Sequence, residues 1–136
     1  MKLIPYLNFD GDCEAAFEFY ERVLGGKIGD KMTWEASPEE NNISSSRAHQ
    51  IMHMNMTLGD QEIMGTDAPP EYFEEPKGTS VLLAIDDPER AESVFTALGE
   101  NGTVKMPIQE TFWAARFGML VDQFGTPWMI NCDKTP

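Results

Sequence analysis

The sequence predicts an α+β fold: two βαβββ modules forming a curved mixed sheet around a central cleft. Three observations predict it. The hydrophobic pattern changes from strand to helix and back in the same order twice. An acidic turn followed by an amphipathic stretch recurs, as "EAAFEFYERVLGG" in the first half and "ERAESVFTALGENG" in the second. Between them, residues 68–78, "APPEYFEEPKG", carry three prolines, which break any periodic element. The chain is therefore one domain, residues 1–136, built from modules 1–67 and 79–132 with a linker at 68–78. One helix covers one face of a four-stranded sheet. The open face needs a partner, and two such faces curled together make a cleft suited to a ligand.

Residues 3–9, "LIPYLNF", read as the first strand and "DGD" as its turn. Asp12 is placed to cap the helix that follows, and Ala15, Phe17, Phe19, Tyr20 and Val23 supply its apolar positions. Gly25 and Gly26 end it. "GKIGDKMTWEA" is strand-like, and the polar residues 37–48, "SPEENNISSSRA", are expected to be a mobile loop. "HQIMHMNMTLG" and "DQEIMGTD" make a hairpin turning near Gly59 and Asp60. The plan restarts with the strand "TSVLLAI" and the turn "DD". The helix "PERAESVFTALGENG" has proline in its first turn and glycine after its end. "TVKMPIQ", "FWAARFGMLVD" and "TPWMINC" complete the second module as strands.

Composition narrows the function classes. The net charge is −13, from 23 acidic against 10 basic residues, which disfavours nucleic acid and anionic membrane as partners. No run of 18 apolar residues suggests a span, and the N-terminus meets acidic residues too early for a secretory leader. A cytoplasmic location is expected. Cys13 and Cys132 show no metal-knuckle spacing and are expected to be reduced thiols, Cys132 at a frayed end. No G-x-S-x-G motif is present.

Several residues are candidates for a site. His49 and His53 are the two histidines. On a strand, four residues span roughly 13 Å, too far for both to bind one metal. His53 shares a face with Asn55 and Thr57, opposite Met52, Met54 and Met56, and is the candidate acid/base or ligand-contacting group. Tyr6 and Asn8 lie opposite Leu7 and Phe9. If the latter pair meets the helix, Tyr6 and Asn8 line the cleft. Arg116 beside Trp113 is suited to an anionic group, with an internal pair to Glu110 or Asp122 as the competing role. Trp113 and Phe117 are candidate pocket-wall or dimer aromatics. Trp128 and Ile130 alternate with Met129 and Asn131, one of these pairs must face the cleft, and Trp128 is a candidate ligand contact. Asp122, Gly125 and Thr126 are expected to shape the turn in "DQFGTPW". The methionines suit an adaptable pocket or ordinary core. Tyr72 and Phe73 belong to the linker, or to a flap over the cleft.

"IPYLNFDGDCEAAFEFYERVLGG", "MHMNMTLGDQEIMGTD" and "KMPIQETFWAARFGMLVDQFGTPWMIN", in that order, carry a family resemblance. The chain resembles the glyoxalase/bleomycin-resistance superfamily, or vicinal oxygen chelate proteins, in its PhnB-like branch. The resemblance covers roughly residues 2–132 and implies paired βαβββ modules and a homodimer. Metal-dependent members place a His, Glu or similar ligand on the first and last strand of each module. By motif these positions fall on Ile4 or Pro5, on Ile63 or Met64, near Ser80 and near Met129. None carries an imidazole or carboxylate, so no metal cofactor is expected, a divalent ion being the disfavoured alternative. The branch also carries a demethylubiquinone methyltransferase label. A doubly wound methyltransferase needs a glycine-rich loop after its first strand. "NFDGDCEAA" has one glycine, and that activity is set aside. The expected function is binding of a small molecule. The alternatives are a divalent-metal-dependent lyase or dioxygenase, and a metal-independent enzyme using His53 as acid or base.

Overall fold

A computed structural model of the chain describes residues 1–36 and 47–135. It contains two compact units, Met1–Glu74 and Glu75–Pro136, and the division falls inside the proline-rich linker. Most of the stretch expected to be a mobile loop, residues 37–46, lies outside the described residues.

The first unit holds β1 (Tyr6–Phe9), α1 (Cys13–Leu24), β2 (Lys27–Thr33), β3 (Ile51–Leu58) and β4 (Gln61–Asp67). The sheet order is β1-β4-β3-β2. β1 runs parallel to β4, and the other neighbours are antiparallel. α1 therefore carries the chain from one edge of the sheet to the other. The first strand is shorter than its apolar run suggests. Pro5 has no N–H to offer a ladder, so pairing begins at Tyr6, although the Pro5 carbonyl accepts the Met64 amide. "WEA" leaves the strand as a 3-10 turn, Trp34–Ala36.

Periodicity decides which face α1 covers. Cys13, Ala16, Phe17, Phe19 and Tyr20 are its buried residues, so Ala16 takes the core place expected of the exposed Ala15. Phe17 meets Phe9 edge-on and lies over Gly65, where an added Cβ would stand 2.5 Å from the ring. Glycine is thus what lets helix and sheet approach so closely. Met54, paired with Gly65, and Met56 are buried on the same face. Gly25, in the left-handed region at φ 78°, ends the helix and donates to the Glu21 carbonyl.

The start of α1 is capped from a distance. Asp12 occupies the cap position, but its side chain makes no cap hydrogen bond. The buried Asp67 replaces it. Its Oδ1 accepts the amides of Gly11 and Cys13, both at 2.9 Å, and its Oδ2 accepts that of Ile51 at 2.8 Å. Its carbonyl also accepts Trp34 Nε1 at 3.0 Å and Arg47 Nη2 at 3.3 Å. One residue at the end of β4 thereby fixes the helix start, the entry to β3 and the chain on either side of residues 37–46.

The second unit repeats the plan with β5 (Val81–Ala84), α2 (Pro88–Leu98), β6 (Thr103–Gln109), β7 (Ala114–Val121) and β8 (Pro127–Asp133). Its order is β5-β8-β7-β6, with β5 and β8 parallel. Here the cap is local: Asp87 accepts the Arg90 amide, and Pro88 opens the helix. Ala91, Val94, Phe95 and Leu98 are the buried residues of α2, and Gly118 admits the Phe95 ring as Gly65 admits Phe17. Cys132 is not frayed. It is fully buried in β8, with its thiol against the Asp86 carbonyl. Both cysteines are free. No helix among the described residues is long and apolar enough to cross a membrane.

Candidate functional site

The face of the first sheet turned away from α1 gathers polar groups. Tyr6 and Asn8 stand on β1 opposite the buried Phe9, next to Met64 and Thr66 on β4. On β3, His53 and Asn55 alternate with the buried Met54 and Met56, as the strand period requires. Across the width of β4, the Tyr6 hydroxyl lies 3.2 Å from His53 Nδ1, with the rings tilted at 35°. Tyr6 remains 48% exposed, so solvent or a ligand reaches the pair. Burial of the rest of the ring raises the Tyr6 phenol above its ordinary pKa and keeps it protonated. Beside this pair, Asn55 Nδ2 donates to Glu62 Oε2 at 2.6 Å, and Asn55 Oδ1 accepts the Asp30 amide at 2.6 Å. Asn55 thus pins the irregular stretch of β2 and fixes a carboxylate on the same face. His49 is exposed in the turn before β3.

The open face of the second sheet is chemically different. Phe117, Met119 and Met129 share it, together with Leu82 and Asn131. Trp113 packs edge-on to Phe117 at 5.5 Å and to the exposed Phe112 at 4.9 Å. Two expected members of this face are on the other side. Trp128 pairs with Leu120 under α2, is 1% exposed, and donates Nε1 to Asp122 Oδ2 at 2.9 Å. Arg116 also faces α2. Its Nε meets Glu92 at 2.8 Å, a partner from the helix rather than the expected Glu110 or Asp122. The strand period decides both cases. Gly118 must face Phe95, so every second residue along β7, and its partner on β8, follows it. Asp122 shapes the turn as expected, accepting the amides of Phe124 and Thr126, with Gly125 at φ 93°.

The structure therefore brings together Tyr6, Asn8 and His53, and separately Trp113 and Phe117. It leaves Trp128 in the core beneath α2 and Arg116 on the same side, in a half-exposed pair with Glu92. Asn55, Glu62 and Met64 were not singled out together from sequence. For Asn55, alternation with the buried Met54 and Met56 was the available signal.

The donor set does not suit a divalent ion. Pro5, Met64, Ser80 and Met129 offer no imidazole or carboxylate, and thioethers are poor ligands for hard cations. Among the described residues, no three His, Cys, Asp or Glu side chains are grouped to hold a metal.

Comparison with known proteins places this geometry in a family. The family model described as 3-demethylubiquinone-9 3-methyltransferase matches residues 1–131. The chain belongs to that family, the PhnB-like branch of the glyoxalase/bleomycin-resistance superfamily. It is 34% identical to Protein YjdN of Escherichia coli (strain K12), over 98% of this chain and 97% of that one. Protein PA1353 from Pseudomonas aeruginosa superposes with a TM-score of 0.92 at 40% identity, covering 99% of each chain. The PhnB protein from Bacillus cereus superposes with a TM-score of 0.81 at 25% identity, covering 97% of this chain and 99% of that one. In this PhnB-like chain, among the described residues, the β1–β4 and β5–β8 pairs alone are parallel, unlike a doubly wound sheet.

Proposed function

We propose that this PhnB-like protein binds a small molecule on the open face of its first sheet, without the metal of its metal-dependent relatives. One observation carries the proposal. Tyr6 and His53 hydrogen-bond to each other across β4 on a face that α1 leaves uncovered. An exposed, pre-oriented pair of polar groups on rigid strands is what ligand recognition requires. Asn8 adds a donor and an acceptor, and Met64 an adaptable apolar contact. Trp113 and Phe117 form a second, apolar contact region on their own module.

The test is amide chemical-shift mapping with a panel of small carbonyl, carboxylate, phosphonate and aromatic compounds. At least one compound is expected to shift Tyr6, Asn8, His53 and Met64 together, and His53→Ala to weaken its binding. Shifts confined to other surfaces, or binding indifferent to His53→Ala, count against the proposal. Metal content after incubation with Zn, Ni, Mn and Fe(II) tests the second half. About one tightly held ion per chain overturns it. A second reading, an enzyme using His53 as acid or base, is favoured by the same Tyr6 contact, which orients the imidazole. Self-association as a homodimer is also proposed, since Leu82, Phe112 and Trp113 are exposed apolar groups of one unit. Sedimentation of the intact chain measures it.

A further inference from the structure

We infer that Tyr6 sets His53 as a hydrogen-bond donor through Nε2, so that the site takes a neutral carbonyl compound in preference to an anion. The inference rests on the reading that the open face of the first sheet binds a ligand.

The geometry admits two directions for the 3.2 Å contact. Nδ1–H could donate to the phenol oxygen, or the phenol could donate to Nδ1. Elementary acid–base chemistry chooses. The phenol oxygen shares its lone pair with its own ring and accepts weakly. An imidazole nitrogen is a far stronger base, and the phenol is the better acid. The phenol therefore donates. Nδ1 is then the acceptor, and the neutral ring carries its proton on Nε2. Partial burial raises the Tyr6 phenol, which keeps that proton available. Tyr6 is thus a positioning residue: it fixes both the tautomer and the plane of the ring.

Charge then selects the acceptor. Around the pair, this face carries Asn8, Asn55, Met64 and Thr66, and its carboxylate, Glu62, lies farther along, bonded to Asn55 and in register with Thr57. Arg116, the cation suited to an anionic group, is held by Glu92 under α2 in the other unit. Lys31 on β2 points to α1, where it pairs with Glu14. The net charge of −13 opposes an approaching anion further. A neutral imidazole N–H, on a face that carries amides, a hydroxyl and a carboxylate, favours the oxygen of a ketone, ester or amide.

The test uses the full chain labelled with 15N-histidine, at about pH 8, above the ordinary histidine range. Long-range proton–nitrogen spectra report the His53 tautomer directly. The expected result is a protonated Nε2 and an accepting Nδ1. In Tyr6→Phe the Nδ1 signal is expected to move toward that of a free ring, with the amide spectrum otherwise kept. Cyclohexanone and cyclohexanecarboxylate are then titrated as probes. Cyclohexanone is expected to shift Nε2 and to bind about three- to tenfold more tightly, the range of one neutral hydrogen bond. A protonated Nδ1 overturns the inference and leaves the small-molecule proposal standing if either probe still maps to this face. Tighter binding of the carboxylate also overturns the inference alone. Failure of both probes to shift this face overturns the inference, and the small-molecule proposal falls with it if the wider panel also fails there.

Discussion

Asp67→Asn is the sharpest test of how the first unit holds together. The replacement keeps the shape of the side chain and changes one oxygen to NH2. The remaining oxygen can still accept the Gly11 and Cys13 amides, now without charge. The new NH2 then faces the Ile51 amide, which stands 2.8 Å from the oxygen it replaces, so two donors are opposed. A lost hydrogen bond to a buried charged group is worth about 1.5–3 kcal/mol, and the weakening of two others adds to it. The expected loss is about 3 kcal/mol, a large fraction of a typical stability of about 5–15 kcal/mol. Urea unfolding followed by tryptophan emission measures it. Trp34 is a local reporter, because its indole N–H bonds to the Asp67 carbonyl at 3.0 Å. With a slope of about 1–3 kcal/mol per molar, the midpoint falls by about 1–3 M. Asp60→Asn, in the exposed hairpin turn, is the control and should stay within about 0.5 kcal/mol. A change of that small size in Asp67→Asn would refute the cap assignment.

Other outcomes follow from the same geometry. Trp128→Phe removes the indole bond to the buried Asp122 and should cost about 1.5–3 kcal/mol by thermal unfolding, without altering shifts on the first sheet. Gly65→Ala places a Cβ 2.5 Å from the Phe17 ring and should cost about 1–3 kcal/mol, read as a lowered urea midpoint. Arg116→Ala breaks a half-exposed pair with Glu92 and should cost no more than about 1 kcal/mol. The Cys13 thiol is pushed well above its ordinary value, first by burial and then by Asp67. The unfolded chain therefore loses that proton first. Stability should fall as pH rises above about 8.5, by up to about 1.4 kcal/mol per unit, until the folded thiol also ionises. Unfolding measured from neutral to alkaline pH should show this slope, reduced in Cys13→Ala.

The order of elements was legible in the sequence because each is short, amphipathic and bounded by a local signal. Pro88 and Asp87 announce α2, Gly25 closes α1, and "DQFGT" makes its turn from its own side chains. Tyr6 and Asn8 were placed correctly relative to Leu7 and Phe9 for the same reason. What the sequence hid was longer in range. Asp12 sits in the right place to cap α1, but the carboxylate that does so comes from Asp67. Along β7 and β8 both alternating sets contain aromatic and apolar residues, so composition alone did not say which set meets α2. Gly118 decides it, through its approach to Phe95. Trp128 and Arg116 followed that choice to the covered side, whereas Phe117 went to the open one. In the first sheet, Asn55 and Glu62 became informative only once the hairpin set them side by side.

The distant cap on α1 bears on how the protein is made. A helix whose first amides wait for Asp67 cannot close its N-terminal end when it leaves the ribosome, because that side chain lies 54 residues after Cys13. At about 5–20 residues per second, synthesis leaves an interval of roughly 3 to 11 s. During it the apolar stripe of Phe17, Phe19 and Tyr20 has no finished sheet to cover. The cap of α2 meets no such delay, since Asp87 precedes that helix directly. Two helices alike in plan thus differ in when their first turns can close during synthesis.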